Sequence, residues 1–212
     1  TPAFLDHPGD SARLLRGGID SAAVAALGVP ADWPAELRLL TGLILGASEA
    51  MFVAWGPQRI FFYNDAYAPI LGSRHPAALG QPIHQVWSDI WPTISPLFDR
   101  VDAGDSVQMD DLALTMQRDG QSVDTHFSFG YHPVRDDRGA VVGLFCVCRE
   151  TTALWQEQRL RDEAQARLLR AESSRRFSEE RFKSAVQAVG VMWTNNAQGE
   201  MVGEQSGWAA LS

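Results

Sequence analysis

The sequence predicts an α+β domain: a five-stranded antiparallel sheet with short helices on one face, plus a long C-terminal helix. Three observations predict it. Short apolar, aromatic and β-branched runs come as two, then three, separated by a Pro- and Gly-punctuated stretch of helical pieces. The last three runs are joined by turn signals at Asp119-Gly120 and at residues 136–139. Residues 153–189 contain neither Gly nor Pro and are rich in Glu, Gln, Arg, Ala and Leu, which is the composition of a continuous helix.

Residues 1–35 are rich in Gly, Pro and Ala, with apolar clusters at Leu14-Leu15 and at 24–27, and predict short helices joined by loops. Pro34 is placed as the first residue of a helix with Asp32 as its cap, and Leu37, Leu40, Ile44 and Ala47 follow at helical spacing. The period then changes. Residues 51–55 and 60–63 predict two strands around a turn at Gly56-Pro57. Asn64 is the expected N-cap of a short helix over 66–71, stopped by Gly72. A further helix is predicted over 93–102, ended near Gly104, and strands over 106–117, 122–134 and 140–149. The helix over 153–189 would reach roughly 55 Å at about 1.5 Å per residue. Gly190 ends it, and a new strand signal follows at 191–193.

A length of 212 residues allows one or two domains, and 45% hydrophobic with 21% charged residues is the balance of a soluble globular protein. The net charge of −8 argues against nucleic acid or an anionic membrane as partner, since both want clustered Lys and Arg. No apolar run reaches about 18 residues, so no membrane span is expected. Seven Trp and ten Phe hint at a pocket or an interface, with plain core as the safer reading. The chain starts without Met and stops inside what reads as a new domain, so it is expected to be a fragment of a larger protein.

The run Phe61-Phe62-Tyr63-Asn64-Asp65-Ala66-Tyr67, then Ile70-Leu71-Gly72 and Ala78-Leu79-Gly80, resembles the PAS signature of strand, Asn cap, short helix and Gly turn. Tyr131-His132-Pro133-Val134-Arg135-Asp136, then Val142-Gly143-Leu144 and the terminal Glu150-Thr151-Thr152, is similar to the closing PAS hairpin and its Asp-Ile-Thr-like end. Trp55-Gly56-Pro57 and residues 87–91 are similar to PAS domains of bacterial sensor histidine kinases. The resemblance implies a PAS fold whose inner sheet face and short helices enclose a small cavity. It divides the chain into an N-terminal helical flank (1–38), a PAS sensor domain (39–152), a signalling helix (153–189) and the start of a second, truncated PAS domain (190–212).

By analogy with ligand-binding PAS domains, strand alternation places Phe127, Phe129 and Tyr131 inward with Leu144, Cys146 and Cys148, and His126, Ser128, Phe145 and Val147 outward. Trp55, Tyr63, Trp87 and Phe98 complete the expected ligand pocket. Cys146 and Cys148, at i and i+2 on one strand face, make an awkward disulfide and read as buried thiols packed as small apolar groups. The expected cofactor is none, with a non-covalent flavin or a small organic ligand as alternatives. Heme is disfavoured because the helix over 93–102 carries no His where heme-binding PAS relatives place their ligand. Ile83 stands where the photoactive flavin-binding relatives carry their reactive Cys, so no thioether adduct is expected. No phosphate-binding Gly loop, His-Glu-x-x-His or nucleophile elbow is visible, and no catalytic site is expected in this segment.

The function these features imply is a cytoplasmic sensory module that passes a signal through its C-terminal helix to an output domain in the same chain, a histidine kinase of a two-component system. The alternatives are a ligand-free dimerisation module, or a sensor for a cyclase or phosphodiesterase. A parallel homodimer is expected. Leu154, Arg161 and Leu168 recur every seven residues with Glu157, Ala164 and Ala171 between them, an imperfect coiled-coil seam. Glu157–Arg161 and Glu163–Arg167 would form ion pairs along the helix.

Overall fold

The computed structural model describes residues 2–19, 21–189 and Gln198. The expected second domain over 190–212 lies outside the described residues, Gln198 excepted. The chain divides into two units, Thr1–Trp155 and Gln156–Ser212.

In the first unit, a 3₁₀ turn (Ala3–Leu5) and helices α1 (Asp10–Gly17), α2 (Ala22–Ala25) and α3 (Ala35–Leu45) precede strands β1 (Ala50–Trp55) and β2 (Ile60–Tyr63). Helices α4 (Ala68–Leu71), α5 (Ile83–Val86) and α6 (Trp91–Asp102) follow. Strands β3 (Val107–Arg118), β4 (Gln121–Arg135) and β5 (Val141–Glu150) close the sheet. Among the described residues the five strands form one antiparallel sheet, as the sequence predicts, and their order is β2-β1-β5-β4-β3. The chain therefore leaves the edge after β2, crosses the helices, and returns to pair its last strand with its first.

Pairing fixes the two faces, because directly opposed residues share one. Phe52 faces Tyr63 on one side and Cys146 on the other, and Cys146 faces Tyr131. This row belongs to the inner, helix-covered face. Val53, Phe62 and Phe145 form a row on the outer face. Over β1 and β2 the outer face is covered by the N-terminal segment. The Trp33 ring lies 5.0 Å from Phe62 and 6.0 Å from Phe4, and Leu37 and Ile44 of α3 are fully buried. Farther across, Phe145 and Val147 are only half-buried. On the same outer face Trp55 lies over Gly143 of β5, where an added Cβ would come within 3.0 Å of the indole.

Two side chains next to each other in sequence tie these layers together. Asn64 is buried; its Oδ1 accepts from the N–H of Met51 (3.0 Å) and of Tyr67 (3.2 Å). Its Nδ2 lies 3.0, 3.2 and 2.7 Å from the carbonyls of Ile44, Ala47 and Glu49. The expected cap is thus a cap of the turn before α4, which starts at Ala68, and at the same time a clamp on the end of α3. Asp65 reaches the other way and caps α1, accepting from the N–H of Asp10 (2.9 Å) and Ser11 (2.8 Å).

Besides the later start of α4 and shifts of one residue at the ends of β3, β4 and β5, the helix starts differ from the expectation. Pro34 occupies the N-cap position and the helix begins at Ala35, since the preceding Trp33 and Pro34 are both extended. Asp32 closes a 3₁₀ turn (Pro30–Asp32) and makes no side-chain cap. Helix α6 begins at Trp91 rather than at residue 93, with Pro92 in its first turn where a missing N–H is harmless.

Helix α7 spans Thr152–Val189 and crosses from the first unit into the second. In the second unit Leu160, Leu168, Leu169, Phe177 and Phe182 are exposed. Ion pairs at i, i+4 run along the helix, including the two expected ones, Glu157–Arg161 (2.7 Å) and Glu163–Arg167 (3.9 Å).

Candidate functional site

The inner face and the helices above it enclose a cavity of about 30 Å³. Its floor is Phe127, Phe129 and Tyr131 of β4, Cys146 and Cys148 of β5, Leu114 and Met116 of β3, and Phe52 of β1. Its roof is Tyr67, Ile70, Ile83, Trp87, Ile90 and Ile94, carried by the helices between β2 and β3. The walls are apolar apart from two phenols, the Trp87 indole and two thiols. Burial pushes the Tyr67 and Tyr131 phenols well above their ordinary pKa, helped by the neighbouring cysteines. Burial likewise pushes up the Cys146 thiol and so disfavours its thiolate.

Of the side chains singled out from sequence, Trp87, Phe127, Phe129, Tyr131, Cys146 and Cys148 meet at this cavity. Phe98 stands directly behind it, with its ring 5.1 Å from Tyr131. Tyr63 is fully buried on the inner face but turns its hydroxyl to Nδ1 of His75 at 2.9 Å. Burial, with the charge of Asp65, raises the Tyr63 pKa well above its usual value. Trp55 does not reach the cavity: alternation along β1 sends it to the face opposite Phe52, where it packs over Gly143. Sequence reasoning missed Leu114 and Met116, which alternation in β3 points inward, Ile94, which shares the buried face of α6 with Phe98 and Val101, and Ile83 and Ile90, whose surroundings are too short to show a period.

Ligand pockets for drug-sized molecules and cofactors usually measure about 300–1,000 Å³. The present cavity is an order of magnitude smaller, enough for a water-sized group with the side chains as they stand. Ile83 is fully buried in the roof and offers no thiol. Among the described residues no three His, Cys, Asp or Glu side chains come together to hold a metal ion. No helix among them is long and apolar enough to cross a membrane.

From the cavity two polar routes lead to the start of α7. Met116 is followed on the inner face by Arg118, which pairs with Glu150 through two hydrogen bonds of 2.9 and 3.2 Å. Glu150 accepts from the hydroxyl of Thr152, the first residue of α7, at 3.0 Å. Beside Phe127, the outward His126 stacks on Trp155 with ring centroids 4.2 Å apart. Its Nδ1 lies 2.8 Å from Asp111, and its N–H donates to the Thr152 hydroxyl at 3.0 Å. Asp111 sits at the bulge of β3 with φ +72°. The first turn of α7 is therefore held by Glu150 of β5 and His126 of β4, which are in turn bonded by Arg118 and Asp111 of β3. Leu154 projects from the same turn and is exposed.

A family model described as the PAS fold matches residues 46–156. No curated protein matches the chain. Among solved structures, the PAS domain of Bordetella pertussis BvgS is similar, at 21% identity and a TM-score of 0.45 over 63% of this chain and 99% of that one. A PAS domain from Colwellia psychrerythraea is similar at 16% identity and a TM-score of 0.41, over 55% and 98% of the two chains. An RNA-binding light-oxygen-voltage receptor shows 19% identity and a TM-score of 0.44, over 71% of this chain; the match spans only 40% of the receptor.

Proposed function

The chain belongs to the PAS fold family, and from that membership we propose that it is a cytoplasmic sensory module whose inner cavity responds to a small ligand and whose α7 carries the response to an output domain. The output is a histidine kinase of a two-component system, and the module works as a parallel homodimer through α7. The observation that carries this reading is the pair of contact chains from the cavity wall to the first turn of α7, Met116–Arg118–Glu150–Thr152 and Phe127/His126–Trp155. A change in the cavity reaches the helix without passing through the rest of the sheet. Packed interfaces of this kind settle into discrete arrangements rather than deforming continuously.

The test is an output measurement on the protein carrying its own downstream domain. Glu150→Gln weakens the Arg118 pair while keeping the side-chain shape, and it should change output activity several-fold while the thermal midpoint stays that of a folded domain. Unchanged output in a folded variant would remove the proposal.

A second reading, a ligand-free dimerisation module, is favoured by one observation, the small volume of the cavity. Native mass spectrometry and the absorption spectrum of purified protein separate the two. A retained small molecule supports the sensor, and a clean apo mass with a stable dimer supports the module.

A further inference from the structure

Two arginines stand behind the cavity wall, next to its lining residues Met116 and Trp87. There the Arg118 guanidinium follows Met116, its Nη2 lying 3.6 Å from the Met116 sulfur, and the turn at Gly72 packs against its stem. Two of its nitrogens bond Glu150, but Nε is buried and finds no acceptor among the described residues. Arg74, two residues past Gly72, lies 4.6 Å over the ring of Trp87, a cavity wall. It pairs with Asp89 at 2.8 Å, and its Nη1 is likewise buried with no acceptor among the described residues. Asp89 also accepts from the backbone N–H of Gln117 at 2.6 Å, which brings Arg74 to the same end of β3 as Arg118. Leaving a buried donor unpaired costs about 1–3 kcal/mol and more for a charged group, so native structures rarely keep two together without a use.

We propose that the cavity takes a small carboxylic acid, with its apolar body between Met116, Leu114 and Trp87 and its carboxylate on the unused N–H groups of Arg118 and Arg74. The inference rests on the sensory reading above and names its ligand class. A carboxylate has two acceptor oxygens for the two unused donors, Nε of Arg118 and Nη1 of Arg74, and each would be a charge-assisted hydrogen bond. The body gains room by moving Met116, an unbranched side chain with three rotatable bonds that stands between the cavity and Arg118. The two arginines are already balanced by Asp89 and Glu150. A bound carboxylate adds a negative charge and competes with Glu150 for Arg118, which frees Glu150 and with it the Thr152 hydroxyl at the start of α7.

The test is thermal unfolding of the full chain with benzoate, phenylacetate or hexanoate, each against its uncharged amide, backed by titration of tryptophan fluorescence. At least one acid should raise the midpoint by about 2 °C or more at concentrations well above its Kd, while its amide does not. Arg118→Gln should abolish that shift, and Arg74→Gln should reduce it. The fluorescence titration of the unmutated chain keeps the test open if either variant fails to fold. Stabilisation by an amide equal to that of its acid overturns the carboxylate and leaves the sensory reading standing. No response to any acid or amide overturns the proposal and counts against a ligand-responsive cavity as well.

Discussion

Phe61, Phe62, Tyr63 and Phe98 are fully buried in the unit Thr1–Trp155, whereas Leu168 and Phe182, in the unit from Gln156, are 68% and 71% exposed. Both stretches are well supplied with large apolar side chains. In the first unit every sheet face with a row of aromatics has a cover, the short helices inside and the N-terminal segment over β1 and β2 outside. In the second, the described backbone is helical, and its side chains make local contacts such as i, i+4 ion pairs worth about 0.2–0.5 kcal/mol each. Burying a single leucine or phenylalanine is worth about 1.5–3 kcal/mol, so a few covered residues on α7 would outweigh all of those pairs. The first unit buries its large apolar side chains by its own contacts, whereas the described part of α7 leaves Leu160, Leu168, Leu169, Phe177 and Phe182 exposed.

The strongest way to break that contrast is at Asn64. Asn64→Ala removes the side chain joining α3, β1 and the turn before α4, and strands several buried donors and acceptors. It should cost about 3 kcal/mol or more, read as a lowered denaturation midpoint. A cost under about 1 kcal/mol would mean that the layers are held by packing alone. Next comes Leu168→Glu on α7, which should weaken self-association at least tenfold in sedimentation while shifting the unfolding of the first unit by less than about 0.5 kcal/mol. A monomer at high micromolar concentration in the unmutated chain would leave α7 as a spacer.

Asp65 sharpens the picture of the first unit. Burial pushes its carboxyl up, but the N–H groups of Ser11 and Asp10 and the nearby His75 outweigh this and hold the pKa below its ordinary value. A group depressed in the folded state stabilises above its unfolded pKa, near 4, and that stability is lost as pH falls through the lower folded value. Asp65→Asn should cost about 1 kcal/mol at pH 7 and flatten the acid limb of the stability profile. A limb as steep as before would place the acid sensitivity elsewhere. The smallest effect belongs to Glu157→Gln, which should lower helicity of α7 by only a few tenths of a kcal/mol and leave the first unit unmoved.

The sheet was legible because its strands announce themselves twice, by apolar runs and by the turns at Gly56, Gly120 and Gly139, each of which has positive φ. Alternation in β4 and β5 gave the right face for Phe127, Phe129, Tyr131, Cys146 and Cys148. It would have excluded Trp55 too, since Phe52 and Trp55 lie an odd number of residues apart on one strand. Helix capping was harder to read. Asp65 was legible only as a neighbour of the Asn64 cap, because its partner α1 lies more than fifty residues away in the chain. The junction at α7 was invisible for the same reason: Arg118, His126, Glu150 and Trp155 come from four elements, and no local spacing brings them together.

Hydrogen exchange of the first turn of α7, compared between the unmutated chain and Met116→Leu, tests most directly whether the cavity wall speaks to the helix. The substitution conserves volume, so it should cost less than about 1.5 kcal/mol, but it removes the sulfur beside Arg118. The account expects the bonded amides of Thr151 and Trp155 to lose protection about threefold or more while those of β1 and β2 keep theirs. Unchanged exchange at Thr151 and Trp155, with differences confined to β3, would contradict it.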